Sequence, residues 1–279
     1  MLEAIDRHSM EEARALLARG FPMRTPAFWA AGLERLAAFH EAASLGPVGQ
    51  IMRMKGEAVG VILTMRSRRD GQNGTAPRSI VNLSSWYVDE RFRLLAPRML
   101  QQVLAEPVDT FTDLTPSPPV TDMIGRFGFE RRYDGGAILP LPILALRMGP
   151  GHVAPVESAA VDAGTGRMVE DHLGLGCLAC ALVEGETARP IVFIAGRRKG
   201  LPAARLVYAE DLASVRRNLG ELARFLLARG VICLEMPASR GDVVPGTWFS
   251  GRSRPTFVRG VDATAAVDHA YSEFVFLRI

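Results

Sequence analysis

The run Ile80-Val81-Asn82-Leu83-Ser84-Ser85-Trp86-Tyr87-Val88-Asp89-Glu90-Arg91-Phe92-Arg93-Leu94-Leu95-Ala96-Pro97-Arg98-Met99-Leu100-Gln101-Gln102-Val103-Leu104 decides the fold. Its first nine residues are rich in β-branched and aromatic side chains and predict a strand; residues 94–104 predict a helix. Residues 110–114, Thr-Phe-Thr-Asp-Leu, predict a second short strand, and a proline-rich turn leads to a helical piece ending in Arg126-Phe127-Gly128-Phe129. Strand, helix, strand in that order predicts two parallel strands joined by a helical crossover.

This stretch resembles the central motif of the GNAT superfamily of acyl-CoA N-acyltransferases. In that family a strand ends in a hydrophobic-Val step, and a Gln/Arg-x-x-Gly-x-Gly/Ala loop opens a helix whose free N–H groups bind the pyrophosphate of coenzyme A. Val88, then Arg91-Phe92-Arg93-Leu94-Leu95-Ala96, then Met99-Leu100 fall at matching positions, and Gly128-Phe129 supplies the closing Gly-Phe pair. A helix N-terminus carries unpaired N–H donors and a positive dipole end, so an anion is held there by groups already in place. The resemblance implies acetyl-CoA or another acyl-CoA as co-substrate, bound along Tyr87, Val88, Arg91, Phe92, Arg93, Leu94, Leu95 and Ala96. Three positions depart from the family. Leu94 replaces its first glycine, which restricts how closely the backbone wraps a phosphate. Pro97 removes one N–H. Ile124 stands where members often carry the tyrosine that protonates the leaving thiolate.

Bulk properties narrow the classes. The chain has 279 residues, 48% of them hydrophobic, enough for one large domain or two small ones with a substantial core. Net charge is +3, and 18 basic against 16 acidic residues before Pro150 leave 15 against 14 after it, so neither half is a basic module for nucleic acid. Residues 137–146 are apolar but short and contain Pro140 and Pro142, so no membrane span is expected, and the start of the chain has no secretory signal pattern. A cytoplasmic location is the expectation. Three cysteines suit a reduced compartment. Cys177 and Cys180 would point to opposite faces of a strand, and the five histidines show no ligand spacing, so no metal is expected.

Taken in order, Ser9-Met10-Glu11-Glu12 reads as a capping box opening a helix that stops near Gly20. A second helix is expected over 26–41. Strands over 47–55 and 57–65 turn at Gly56, and a loop with Asp70-Gly71 and Asn73-Gly74 leads into the strand at Ile80, giving an antiparallel meander. Residues 133–142 would close the first unit. The second repeats the pattern, with strands over 176–183, 190–195 and 204–208, a helix over 211–229 and a strand over 231–236; the last apolar alternation, 271–277, predicts one more strand. Between Tyr208 and its helix the second unit lacks any loop suited to coenzyme A.

Transfer of an acyl group from a thioester to an amine requires a neutral amine, a stabilised oxyanion and an exit for the thiolate. By the resemblance, the oxyanion donor is a backbone N–H near Tyr87 and Val88. A base is offered by Asp89, Glu90 or Asp113, or by a water held by Ser84 or Ser85, of which Asp113, Ser84 and Ser85 are the catalytic candidates. Ser84 and Ser85 alternate faces in a regular strand, so only one would face the opposite layer. Arg91 and Arg93 are placed for the phosphates of coenzyme A.

The expected architecture is α/β (α+β): two GNAT-like units, each a mixed, mostly antiparallel sheet flanked by helices. Residues 1–148 carry the acyl-CoA motif, 149–167 form a linker and 168–279 a degenerate second copy. The expected activity is acyl transfer from acyl-CoA to a small amine, without nucleic-acid or membrane partners; a homodimer is left open. Two other readings stand beside it: a binding protein that keeps the scaffold without turnover, as Leu94 and Ile124 would permit, and an acyl donor carried on something other than free coenzyme A.

Overall fold

The computed structural model of the chain describes residues 1–69, 77–159, 161–242, 244–250, 253–260 and 265–279. The turn dipeptides Asp70-Gly71 and Asn73-Gly74 lie outside the described residues. The first part of the chain runs β1 (Leu2–Ala4), α1 (Met10–Gly20), α2 (Pro26–Ala42), β2 (Gly49–Met54), β3 (Glu57–Arg69), β4 (Arg78–Val88), α3 (Ala96–Val103), β5 (Thr110–Asp113), α4 (Pro118–Met123), β6 (Glu130–Tyr133), β7 (Gly135–Pro140) and α5 (Leu141–Leu144). It continues with β8 (His152–Ala154), α6 (Ala163–Gly174), β9 (Leu178–Glu184), β10 (Thr187–Arg198), β11 (Leu201–Ala209), α7 (Leu212–Arg217), α8 (Leu219–Leu227), β12 (Cys233–Ala238), β13 (Trp248–Ser250), β14 (Thr256–Gly260), β15 (Val267–Asp268) and α9 (Glu273–Phe276).

These strands build two mixed sheets flanked by helices, the α/β arrangement expected. The first has the order β1-β2-β3-β4-β5-β14-β6 and the second β13-β7-β12-β11-β10-β9-β8, with β15 added beside β11. Each sheet holds one parallel pair at its centre. In the first, β4 and β5 pair from Ile80↔Thr110 to Leu83↔Asp113; in the second, β11 and β12 pair from Ala203↔Cys233 to Arg205↔Glu235. The long strand β3 carries a continuous apolar run in its middle: Val61, Ile62 and Leu63 are all fully buried, as a strand covered on both faces requires.

The sheets exchange strands. β7 follows directly on β6 in the chain yet lies between β12 and β13 of the second sheet, while β14, from the last quarter of the chain, lies between β5 and β6 of the first. Residues 133–142 therefore do not close the first sheet, and the exchange crosses the boundary expected at 149–167. That stretch is itself structured in part, since β8 pairs with β9.

Several local expectations are corrected. Ser9 does not cap α1 with its side chain; the Asp6 carboxylate accepts from the N–H groups of His8 and Ser9 instead, and Glu12 pairs with Arg53. The helix expected over 211–229 breaks at Asn218, whose side chain donates to Glu184 and accepts from the Gly151 N–H, so it joins three segments that a continuous helix would keep apart. The run 271–277 forms the short helix α9 rather than a strand. α9 and its flanks are buried between the sheets in one apolar core with α1, α2, β3 and β11, and Arg35 of α2 donates twice to the Phe276 carbonyl.

Candidate functional site

After Leu83↔Asp113 the parallel strands part: β5 ends, and β4 continues to Val88 with only β3 beside it. On that side Leu63 pairs with Ser84 and Val61 with Tyr87, so Ile62 faces two residues, Ser85 and Trp86. This is a β-bulge, with Ser85 in the left-handed region at φ 50°. The bulge undoes the alternation expected of a regular strand. Ser84 and Ser85 do not separate to opposite faces; their hydroxyl oxygens lie 3.2 Å apart, and both line one cavity.

That cavity, about 330 Å³, fills the gap between the parted strands. Apolar walls come from Ile62, Leu83, Leu100 and Ile124, and polar groups from Ser84, Ser85, Asp113, Thr115 and Arg254. Asp113 closes the end of β5 and is nearly buried. Its carboxyl group accepts a hydrogen bond from the Thr115 N–H at 3.3 Å. Burial, and next the charge of Glu273, push its pKa from the ordinary 3.8 up to about 8. A carboxyl so placed exchanges its proton near neutral pH, which suits an acid–base role.

Glu273, fully buried, was not legible in the sequence because it lies in the run expected to be a strand. Its carboxylate accepts from Asn82 on β4 and, at 2.7 Å, from the Thr115 hydroxyl, while the Thr112 hydroxyl donates to the Asn82 side-chain oxygen. Burial raises its pKa also. Trp29 and Trp86 were missed as well: both line the cavity, and their buried indole N–H groups have no acceptor among the described residues. No sequence signal marked them, since an indole reads as packing until its N–H is located.

At the far end of β4, a 3₁₀ turn over Glu90–Leu95 leads into α3, and neither Asp89 nor Leu95 caps the start of these helices with a side chain. The Asp89 carboxylate is turned away: it takes two hydrogen bonds from Arg19, at 3.0 and 2.9 Å, and one from the Tyr87 hydroxyl at 2.7 Å. Val88 is buried, Phe92, Leu95 and Ala96 are half-buried, and Arg91, Arg93 and Leu94 are exposed, Leu94 at 96%. Tyr87, Val88 and the 91–96 loop thus form one continuous strand end and turn beside the cavity, whereas Asp113, Ser84 and Ser85 lie in its wall.

The second sheet treats the same position differently. Its parallel pair parts after Arg205↔Glu235, but β15 enters the gap and pairs with β11 at Tyr208 and Ala209. The helix that follows is filled at its start by its own side chain, since the Asp211 carboxylate accepts from the N–H groups of Ala213 and Ser214 at 2.8 and 3.1 Å. Cys177 and Cys180 fall in separate apolar cores on the two faces of this sheet, each thiol pushed up to about 12 by burial.

No family model matches the chain, and no curated protein matches it in sequence. Solved structures do. A GCN5-related N-acetyltransferase from Anabaena variabilis superposes with a TM-score of 0.58 at 10% identity, over 94% of this chain and 73% of that one. A candidate acetyltransferase from Pyrococcus horikoshii gives 0.57 at 14% identity, over 98% and 93%. A GCN5-related N-acetyltransferase from Kribbella flavida gives 0.52 at 12% identity, over 94% and 71%. Identities this low speak to architecture alone: the chain has the fold of the GNAT acetyltransferases.

Proposed function

We propose that the protein transfers the acyl group of an acyl-CoA, acetyl-CoA in the simplest case, to a small amine in the cavity between β4 and β5. One observation carries this reading: a buried carboxyl group, Asp113, whose pKa burial raises, lines the cavity where two parallel strands part. The donor's pyrophosphate would lie on the open turn over Glu90–Leu95, with Arg91 and Arg93 beside it. The Asp89 N–H donates to the Val59 carbonyl on β3, so by strand alternation the Val88 N–H faces the edge that β5 has left, the position an oxyanion donor needs.

In this mechanism the amine nitrogen attacks the thioester carbon, a C–N bond forms, and the carbonyl electron pair moves onto oxygen, against the Val88 N–H. The proton lost by nitrogen goes to the Asp113 carboxylate. The adduct then collapses with cleavage of the C–S bond. Ile124 in the cavity wall has no proton to give, so the one collected by Asp113 passes to the departing thiolate.

Two measurements test this. Thermal stability with acetyl-CoA and longer acyl-CoAs reports donor binding by mass action, and release of free thiol across a panel of amines reports turnover. Asp113→Asn should lower kcat/KM by about 100-fold or more while the stabilisation by thioester persists. Stabilisation without thiol release from any amine would favour the non-catalytic binding reading, to which Leu94 and Ile124 lend support. No stabilisation by any thioester would sink both.

A further inference from the structure

Arg205 and Glu235 occupy, in the second sheet, the place that Leu83 and Asp113 occupy in the first: each is the last pair before parallel strands part. The Glu235 carboxylate is clasped by Arg198 at 2.6 Å and Ser253 at 2.7 Å, with Arg205 at 3.5 Å. The Arg205 guanidinium lies over the Phe274 ring, 3.9 Å from its centre. Arg198, Arg205, Glu235 and Phe274 line an open cavity of about 380 Å³ whose described wall carries four arginine side chains, Arg197, Arg198, Arg205 and Arg278, against a single carboxylate side chain, Glu235. The side chains of this wall are net cationic. Arg198 and Arg205 are only part-exposed, at 28% and 25% of their side chains, and each guanidinium has five N–H donors, more than Glu235 engages.

This basin adjoins the candidate transfer cavity. Ile279 lines both, and a smaller intermediate cavity of about 140 Å³ shares Arg254 and Thr115 with the one and Arg198, Arg205, Glu235 and Phe274 with the other. We propose that the arginine basin at the Arg205–Glu235 pair, where β10, β11 and β12 still run side by side, holds the carboxylate or phosphate group of the acceptor, so that the amine transferred to is one that also carries an anion. The proposal rests on the transferase reading for the amine end. A guanidinium with its face stacked on an aromatic ring presents its edge donors as a fork, the geometry that matches a carboxylate or phosphate.

The test uses the full chain. Malonate and inorganic phosphate are titrated calorimetrically, at saturating acetyl-CoA, into the unmodified protein, into Arg205→Gln and, because Arg205 also packs on Phe274, into the more exposed Arg278→Gln. One of the two anions binds the unmodified protein, and each variant weakens it about tenfold or more, the loss of a charge-assisted pair. Absence of binding by both anions, loss of it once acetyl-CoA is present, or unchanged affinity in both variants overturns the proposal. Which anion binds separates carboxylate from phosphate acceptors. Thiol release is then compared within matched amines of increasing chain length, ω-amino acids against their amides and ω-aminoalkyl phosphates against the corresponding amino alcohols. The charged member of a pair has a KM lower by about tenfold, and equal KM values throughout both series overturn the assignment of the anion to the acceptor. If no amine releases thiol while the anion still binds, the transferase reading fails and the anion site stands.

Discussion

Glu273 raises the proton affinity of Asp113 although the two residues lie far apart in the chain, brought together around Thr115. Hydrogen bonds from Asn82 and Thr115 fix the Glu273 carboxylate, and its charge adds to burial in pushing Asp113 up to about 8. If Asp113 is the base, kcat/KM for thiol release should rise with pH through an inflection near 8 and level off above it. Glu273→Gln removes the charge and should move that inflection downward. A rate independent of pH between 6 and 9 would remove Asp113 from the mechanism.

The same shift predicts a stability effect of defined sign. A carboxyl group whose folded value lies near 8, above its ordinary 3.8, binds more protons folded than unfolded throughout that window. Stability from this group is full below about pH 4 and is lost as pH rises toward 8. Asp113→Asn should therefore raise the melting temperature at pH 8 and make little difference at pH 4, measured by thermal denaturation at both. A variant less stable at pH 8 would contradict the burial argument.

Arg69 and Asp268 form a buried ion pair at 2.8 Å, with the Tyr271 ring 4.6 Å from the guanidinium. It ties the end of β3 in the first sheet to β15 in the second. Burial acts against both charges, yet the pair holds the Asp268 pKa below and the Arg69 pKa above their ordinary values. The Asp268 contribution is present above the ordinary carboxylate range and lost as pH falls through its lowered value. Asp268→Asn leaves the Arg69 charge buried without its partner and should cost about 3–5 kcal/mol in urea unfolding at pH 7. A cost below about 1 kcal/mol, the ceiling for a solvated pair, would show that water reaches it.

Gly20 ends α1 directly against Tyr87, where a methyl group would overlap the root of the aromatic ring. Neither the helix backbone nor the ring root can yield as a flexible side-chain tip would. Gly20→Ala should destabilise by about 1–3 kcal/mol and, by displacing Tyr87 from Asp89, weaken binding of acetyl-CoA at the turn that follows. Unchanged thermal stability with unchanged acetyl-CoA affinity would show that α1 shifts freely.

Asp211→Ala should cost about 1 kcal/mol through loss of a helix cap. It should leave acetyl-CoA affinity unaltered, because that helix start beside the second sheet is taken by its own side chain and preceded by no cofactor loop. A second equivalent of acetyl-CoA appearing in calorimetry of this variant would show that the cap alone kept the site closed.

Much of the first sheet was legible because its signals are local. The β-branched run before Val88, the crossover helix and Asp113 at the end of a short strand all follow from residues near one another in the chain. What escaped the sequence depends on distant partners. The run 271–277 alternates apolar residues, but alternation discriminates a strand only when one face meets solvent, and here every residue from Tyr271 to Leu277 is buried. Glu273 was hidden with it. The bulge at Ser85 adds one residue to a strand with no glycine to announce it, and the Arg205–Glu235 pair becomes visible only once β11 and β12 are seen side by side.

The exchange of β7 and β14 makes each sheet depend on both ends of the chain. A fragment ending near residue 148 would lack the strand that separates β5 from β6 and would carry β7 with both its edges bare. The remaining fragment would hold β14 with no sheet to enter. Unpaired edges of this kind recruit other chains, so neither half should be obtainable as a tractable protein by itself. The two sheets survive or fail as one body.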